Sequence, residues 1–285
     1  MKHYLKLMRI HHYLKNVLVF AALACSGMLF DGRKFLDCLL GFAAFSMISS
    51  VVYIVNDIRD REKDRNHPTK CKRPIAAGTV SVHNAWMLAA VLLVLAGLCN
   101  YLVFSPSATM LLLSYLLLNL AYSFGLKKIP IVDVAILVSG FWIRVHYGAL
   151  ITGIQVSNWL YLTVIALAFY LSLGKRRNEL KQTKDGETRE VLKAYPISFL
   201  DKMMYMCLTL ANAFYALWTM TAETVSAYGA YLFYTAPIVL LITMKYSLDI
   251  EGNSDGDPVE VLVHDKFLMV LCVVYMLSML AILYR

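Results

Sequence analysis

Nine apolar runs alternate with short polar segments along this chain, at about 14–30, 36–55, 83–104, 108–125, 131–152, 157–174, 199–220, 226–244 and 266–284. Each approaches the ~20 apolar residues that a helix needs to cross a bilayer. The stretches 105–107 and 152–157 are short breaks between adjacent runs. The pattern predicts nine helices, with Gly41, Gly97 and Gly140 inside the runs as small residues of the kind found where membrane helices pack. No sustained repeat and no low-complexity segment interrupts the series. No small-residue cleavage site follows the first run, which reads as a retained first span.

Composition agrees with the pattern. Of 285 residues, 59% are hydrophobic and 16% charged, against roughly half and a quarter in soluble domains. That balance excludes a soluble enzyme, a disordered chain and a fibrous repeat. The expected fold is an all-α integral membrane protein, one compact domain over residues 1–285.

The formal net charge of +8 invites a nucleic-acid partner, but the placement of the charges argues for a membrane instead. With the N-terminus inside, segments 1–15, 56–82, 126–130, 175–202 and 245–266 carry 23 of the 27 Lys and Arg residues. Arg33, Lys34 and Arg285 fall on the other side and Arg144 lies within a run. This is a strong positive-inside signal. It places the protein in the cell membrane with a cytoplasmic N-terminus and an external C-terminus, and it leaves no need for nucleic acid. Sixteen of the 19 carboxylates gather on the same face, although acids contribute little to insertion. A polar site opening to the cytoplasm accounts for both signs.

The densest chemistry is Asn56-Asp57-Ile58-Arg59-Asp60-Arg61-Glu62-Lys63-Asp64, at the inner end of the second run. On a helix, Asn56, Asp60 and Asp64 fall at ~0°, ~40° and ~80°, with Asp57 at ~100°. Three carboxylates on one face repel one another unless a cation sits among them, and hard oxygens beside phosphate suit Mg²⁺. The alternative is a solvated helix end with Asp–Arg pairs. The next segment, His67 to Gly78, has two prolines and a glycine, and reads as an ordered loop. It brings Lys70, Lys72 and Arg73 beside the acids, as a metal–phosphate complex requires. Contact with anionic lipid is the other use for such a run. Arg144 lies eleven residues after Asp133, ~16 Å along a helix, and nearly on its face. Buried arginine is costly in a membrane, so Arg144 reads as a contact to a donor or lipid phosphate or as an internal pair that fixes packing. Cysteines 25, 38, 71, 99, 207 and 272 and the seven histidines show no ligand spacing. Asp249, Glu251, Asp255, Asp257, Glu260 and Asp265, with Gly252, Gly256 and Pro258, read as a flap or as a solvated acidic loop.

Asn-Asp-x-x-Asp-x-x-x-Asp at 56–64, followed by a basic loop ending Arg73-Pro74-Ile75-Ala76-Ala77-Gly78, resembles the UbiA superfamily of intramembrane prenyltransferases. Tyr122-Ser123-Phe124-Gly125-Leu126-Lys127 is similar to that family's Tyr-Ser-x-x-Leu-Lys element. The N-terminal family pattern keeps Arg9, Lys15 and Asn16 but lacks its proline and tryptophan. The resemblance implies nine helices around a central cavity open to the cytoplasm, with Asp57, Asp60 and Asp64 catalytic. Asn56 would join those three in holding Mg²⁺, with Lys15, Tyr122 and Lys127 near the substrate.

The second motif divides the superfamily. Prenyltransferases are acidic there. This chain has Gly174-Lys175-Arg176-Arg177-Asn178-Glu179-Leu180-Lys181, which resembles the Gly-Lys-Arg-x-x-Glu loop of the phosphoribosyltransferase branch. Gly140 to Arg144, and Pro258-Val259-Glu260 with Asp265, are similar to that branch as well. The resemblance implies Mg²⁺-dependent transfer of 5-phosphoribose from phosphoribosyl pyrophosphate to a polyprenyl phosphate, with Lys175, Arg176 and Glu179 on the remaining phosphate and the ribose hydroxyls. Three anionic groups would then need many cations, and these motifs supply them. The alternative is prenyl transfer from a prenyl diphosphate to an aromatic acceptor, which predicts carboxylates at 174–181. A transporter or lipid-binding protein without chemistry predicts half-helices or repeats near the midplane, and the sequence has neither.

Overall fold

A computed structural model describes residues 2–103, 105–182, 190–252 and 258–285 of the chain. Among the described residues the regular structure is helical throughout, and every apolar run predicted from the sequence overlaps a helix. The order is α1 (Lys2–Met8), a 3-10 helix (Ile10–Phe20), α2 (Ala21–Cys25), α3 (Gly32–Arg59), α4 (Arg61–Arg65) and a 3-10 turn (Lys70–Lys72). Then follow α5 (Val82–Val103), α6 (Pro106–Phe124), a 3-10 turn (Leu126–Lys128), α7 (Val132–Thr152) and α8 (Asn158–Gln182). After a 3-10 segment (Glu190–Ala194) come α9 (Ile197–Met220), α10 (Ala222–Tyr228), a 3-10 segment (Ala230–Thr235), α11 (Ala236–Glu251), α12 (Pro258–His264) and α13 (Lys266–Leu283). Among the described residues, 6 helices are long and apolar enough to cross a membrane: Gly32–Arg59, Val82–Val103, Pro106–Phe124, Val132–Thr152, Ala230–Glu251 and Lys266–Leu283.

The helix starts follow local chemistry. Asp31 caps α3 by accepting from the Arg33 and Lys34 amides, Ser105 caps α6 ahead of Pro106, and Asp265 caps α13. Each side-chain oxygen satisfies an amide that the first helical turn leaves unpaired.

The chain divides into two compact units, Met1–Leu126 with Ile143–Gln155, and Lys127–Trp142 with Val156–Arg285. In the first, α5 turns Ala85, Ala89 and Leu92 toward α3, where they pack with Val51, Ile54, Leu7, Ile75 and Val80. Its other side leaves Val91, Val94, Leu95 and Leu98 exposed. In lipid this outward face costs nothing, and close packing of small residues, rather than escape from water, holds such helices together. In the second unit α8 packs against α9, around Tyr170, Leu173, Leu192, Leu200, Met204 and Ile250. Gly174 permits this approach, since a Cβ there would stand 3.2 Å from Met204 Sδ.

Two expectations change. The first apolar run opens as a 3-10 helix, which ends at Phe20, before the short α2. It is held at Asn16, which bonds Ser46 at 3.0 Å and Arg144 at 2.8 Å, and at Val19, whose carbonyl accepts from Cys38 Sγ at 3.8 Å. Residues 174–181, expected as a loop, continue α8 to Gln182. Lys, Arg, Glu, Leu and Gln are good helix formers, and the polar side chains find partners on neighbouring helices.

Candidate active site

In the first unit the acidic motif spans a turn. α3 ends at Arg59 and Asp60 sits at φ −86°, ψ 5° before α4 begins. Helical bonding stays in step across it, with the Asp60 amide on the Asn56 carbonyl at 2.9 Å and the Asp64 amide on the Asp60 carbonyl at 2.8 Å. Asp57 and Asp64 are buried, 2% and 3% exposed, while Asn56 and Asp60 are half-buried.

Arg73 joins the two buried acids. Its Nη1 donates to Asp64 Oδ2 at 2.7 Å and lies 3.3 Å from Asp57 Oδ1. Arg9 Nη2 donates to the same Asp57 oxygen at 2.6 Å, with its guanidinium 4.7 Å over the Tyr53 ring. Arg9 takes the left-handed conformation, φ 53° and ψ 52°, which costs a side-chain-bearing residue about 1–3 kcal/mol. The buried carboxylate and the aromatic face offset that cost.

Among the described residues no group of three or more His, Cys, Asp and Glu side chains is gathered as a metal site. The expected face of three acids is broken by the turn at Asp60, and arginines neutralise the two that converge. The donor set nevertheless fits Mg²⁺. One guanidinium nitrogen already bonds both Asp57 and Asp64, so both carboxylates address a single cationic position with hard oxygens.

The basic loop is tied to its neighbours. Lys6 Nζ donates to the Lys72 carbonyl at 3.0 Å and Arg65 Nε to the Ala76 carbonyl at 3.3 Å. His67 Nδ1 accepts from the Thr69 and Lys70 amides at 3.3 and 3.4 Å, so it acts as a turn cap. Lys70 is half-buried and Lys72 exposed.

Arg59 reaches the end of α6. It donates to the Ser123 carbonyl and, at 3.2 Å, to that of Phe124, and stacks 4.5 Å over the Phe124 ring. The last carbonyls of a helix are unpaired and carry partial negative charge, so a guanidinium is favoured there. This fixes the backbone beside Tyr122. Arg59→Met should lower the thermal midpoint by the equivalent of about 1–3 kcal/mol, the worth of charged hydrogen bonds. An unchanged midpoint in a detergent melt would refute it.

Lys15 is half-buried beside Asn16. Arg144 is 7% exposed and donates from Nε to Asn16 Oδ1 at 2.8 Å and from Nη2 to Tyr115 Oη at 3.1 Å. It also lies 4.8 Å over the Phe45 ring. The alternative Asp133–Arg144 pair is not formed, because three helical turns separate the two residues. Asp133 bonds elsewhere.

In the second unit Lys127 and Lys175 are half-buried. Arg176, expected at a phosphate, is 3% exposed and paired through Nε to Asp133 Oδ2 at 3.0 Å and through Nη1 to Glu179 Oε2 at 3.2 Å. These two bonds set its guanidinium between Asp133 and Glu179. Arg177 bonds Asp201 and, at 2.6 Å, Glu251 Oε2, whose other oxygen accepts from Tyr205 at 2.8 Å. Asn178 Nδ2 donates to the Ile250 carbonyl at 2.8 Å. Tyr195 Oη donates to Asp133 at 2.6 Å, and burial, helped by that carboxylate, pushes the phenol up to about 12. Acids read as a flap are anchors here. Lys245 binds Asp249 and, at 2.6 Å, Asp265, and Glu251 holds Arg177. Asp255, Gly256 and Asp257 lie outside the described residues.

Membrane-length helices carry an acidic helix end closed by arginines, with a basic loop beside it, and similarity to known proteins identifies the class as a membrane transferase. The chain belongs to the UbiA prenyltransferase family, whose model matches residues 16–262. It is 32% identical over 287 residues to decaprenyl-phosphate phosphoribosyltransferase of Corynebacterium glutamicum, covering 98% of this chain and 86% of that protein. It is 31% identical to the protein of that name in Mycobacterium tuberculosis, covering 95% of this chain and 90% of the relative. In fold it is similar to a UbiA homolog from Archaeoglobus fulgidus bound to GPP and Mg²⁺, with TM-score 0.73 and 18% identity over 99% of this chain and 100% of that one.

Proposed function

We propose that the protein transfers 5-phosphoribose from phosphoribosyl pyrophosphate to a polyprenyl phosphate and releases diphosphate. The observation that carries this reading is the second motif. Where a prenyl diphosphate site would be acidic, Lys175, Arg176, Arg177 and Lys181 surround a single Glu179. Relatives similar over nearly the whole chain and named for phosphoribosyl transfer support it.

In this reading Asn56, Asp57, Asp60 and Asp64 would hold Mg²⁺, and a bound ion would supply positive charge for the diphosphate. Lys70, Lys72 and Arg73 bind donor phosphates, Tyr122 and Lys127 shape the donor site, and Lys15 and Lys175 meet the remaining phosphates. Arg144 holds the wall on which Lys15 and Asn16 stand. A phosphate oxygen of the lipid forms a bond to ribose C1 as the bond from C1 to diphosphate breaks. The acceptor is already anionic, so no side chain has to remove a proton. Catalysis rests on placing charge where the oxocarbenium-like transition state needs it, and single displacement inverts an α donor to a β product. The site faces the cytoplasm in a nine-span protein of the cell membrane, with the N-terminus inside and the C-terminus outside.

Purified protein given Mg²⁺, labelled phosphoribosyl pyrophosphate and polyprenyl phosphate is expected to move label into the lipid phase. EDTA should abolish the transfer. Product obtained only from a prenyl diphosphate with 4-hydroxybenzoate would overturn this reading.

A further inference from the structure

The second unit holds a run of hydrogen bonds that begins at a left-handed residue four positions after Lys127. Ile131 has φ 69°, a left-handed conformation that a β-branched residue rarely takes. Its side chain is 62% exposed, so packing of that side chain does not hold it there. The main chain does, through an Ile131 amide that donates to Tyr195 Oη at 2.5 Å. An amide can only donate, so the phenol oxygen accepts on this side and its own proton points elsewhere. It points to Asp133 Oδ1, at 2.6 Å. The other Asp133 oxygen accepts from Arg176 Nε at 3.0 Å, and Arg176 Nη1 reaches Glu179 Oε2 at 3.2 Å. Asp133 is fully buried, Arg176 nearly so, and the Glu179 side chain is 25% exposed. The middle of the run is sealed and its Glu179 end reaches the surface.

We propose that Tyr195 and Asp133 are positioning residues for the second motif, which act through Arg176 to fix the carboxylate of Glu179 where it accepts a hydroxyl of the donor ribose. The assignment rests on the phosphoribosyl reading. A guanidinium is planar, so pinning Nε on Asp133 sets the plane and with it the direction of Nη1. Glu179 alone, on the exposed side of α8, would sample several rotamers. Held by Arg176 it keeps one, and the entropy of ordering it is not charged to substrate binding. The strained turn at Ile131 is the far anchor, since it aims the amide that fixes the direction of the Tyr195 proton.

The test begins with Tyr195→Phe, which removes one hydroxyl and leaves the ring stacked on Phe199 at 6.2 Å. At saturating polyprenyl phosphate the KM for phosphoribosyl pyrophosphate should rise roughly tenfold, the equivalent of one lost hydrogen bond, with a smaller change in kcat. Glu179→Gln should raise KM at least as much, and the double variant should be no worse than Glu179→Gln alone, because both act at one point. Ile131→Gly, which keeps the amide and suits a left-handed position, should leave KM near wild type. The proposal is overturned by an unchanged KM in Tyr195→Phe, by effects that multiply in the double variant, or by an Ile131→Gly defect as large as that of Tyr195→Phe. A wild-type protein inert toward phosphoribosyl pyrophosphate would sink the phosphoribosyl reading by itself. The relay is then judged by hydrogen exchange of the Ile131 amide, which Tyr195→Phe must accelerate.

Discussion

Asp57→Asn is expected to cut phosphoribosyl transfer by roughly 10²–10³-fold, the loss that follows removal of one preorganised electrostatic contact at a reacting centre. Asp57 is 2% exposed and accepts from Arg9 at 2.6 Å, with Arg73 3.3 Å away. Breaking a buried pair by removing one partner usually costs about 3–5 kcal/mol. Here the damage to folding should be smaller. Arg73 keeps Asp64 at 2.7 Å, and the Arg9 side chain, 18% exposed, can turn to water. The asparagine also retains an oxygen to accept a neutral-to-charged hydrogen bond. The variant should therefore migrate as folded protein in detergent while losing turnover and requiring more Mg²⁺ for half-maximal rate. Asp60→Asn should act in the same direction, since in the proposed site it is a further metal ligand. Full turnover of either variant with Mg²⁺ and donor would remove the metal assignment.

The parts of this molecule that depend on local spacing could be read from the sequence. The apolar runs mark the helices because length and hydropathy alone decide what a bilayer accepts. The i to i−4 bonding that the spacing of Asn56, Asp60 and Asp64 implies survives the turn at Asp60, but among the described residues three acids are not gathered there as a metal site. What escaped the sequence depends on partners far along the chain. Arg176 reads as a surface cation in a basic run until Asp133, 43 positions earlier, is found 3.0 Å away. Arg59 looks like one more charge in a mixed segment, yet it holds the carbonyls of Ser123 and Phe124. Residues 174–181 have the composition of a cytoplasmic loop, but ion pairs to Asp201 and Glu251 let the helix continue. Charge identifies such residues as polar and does not say whether they bind substrate or each other.

Gly148→Ala is expected to disable the first unit. A Cβ at Gly148 would stand 1.9 Å from the Val19 carbonyl oxygen and 2.8 Å from its carbon. Those atoms are backbone, which cannot swing aside as a flexible side chain does. Overpacking costs about 1–3 kcal/mol and occasionally more, and a clash this deep belongs at the upper end. One turn before Gly148 on α7, Arg144 reaches Asn16, three residues before Val19 on the 3-10 helix. Four residues of α-helix rise ~6 Å and turn through ~400°. Three residues of 3-10 helix also rise ~6 Å and turn through one full circle. The two contacts are thus in register because the chain from Asn16 to Val19 is 3-10. An α-helical run would advance ~4.5 Å over the same three residues and carry Val19 ~60° off the contact. Pushing α7 away at Gly148 should therefore also loosen Arg144 from Asn16, beside Lys15. The expected result is a fall in thermal midpoint together with loss of lipid-phosphate binding. Gly148→Ser should behave alike, since it adds the same Cβ. A Gly148→Ala protein with wild-type midpoint and wild-type acceptor affinity would show that α7 and the first run do not meet as described.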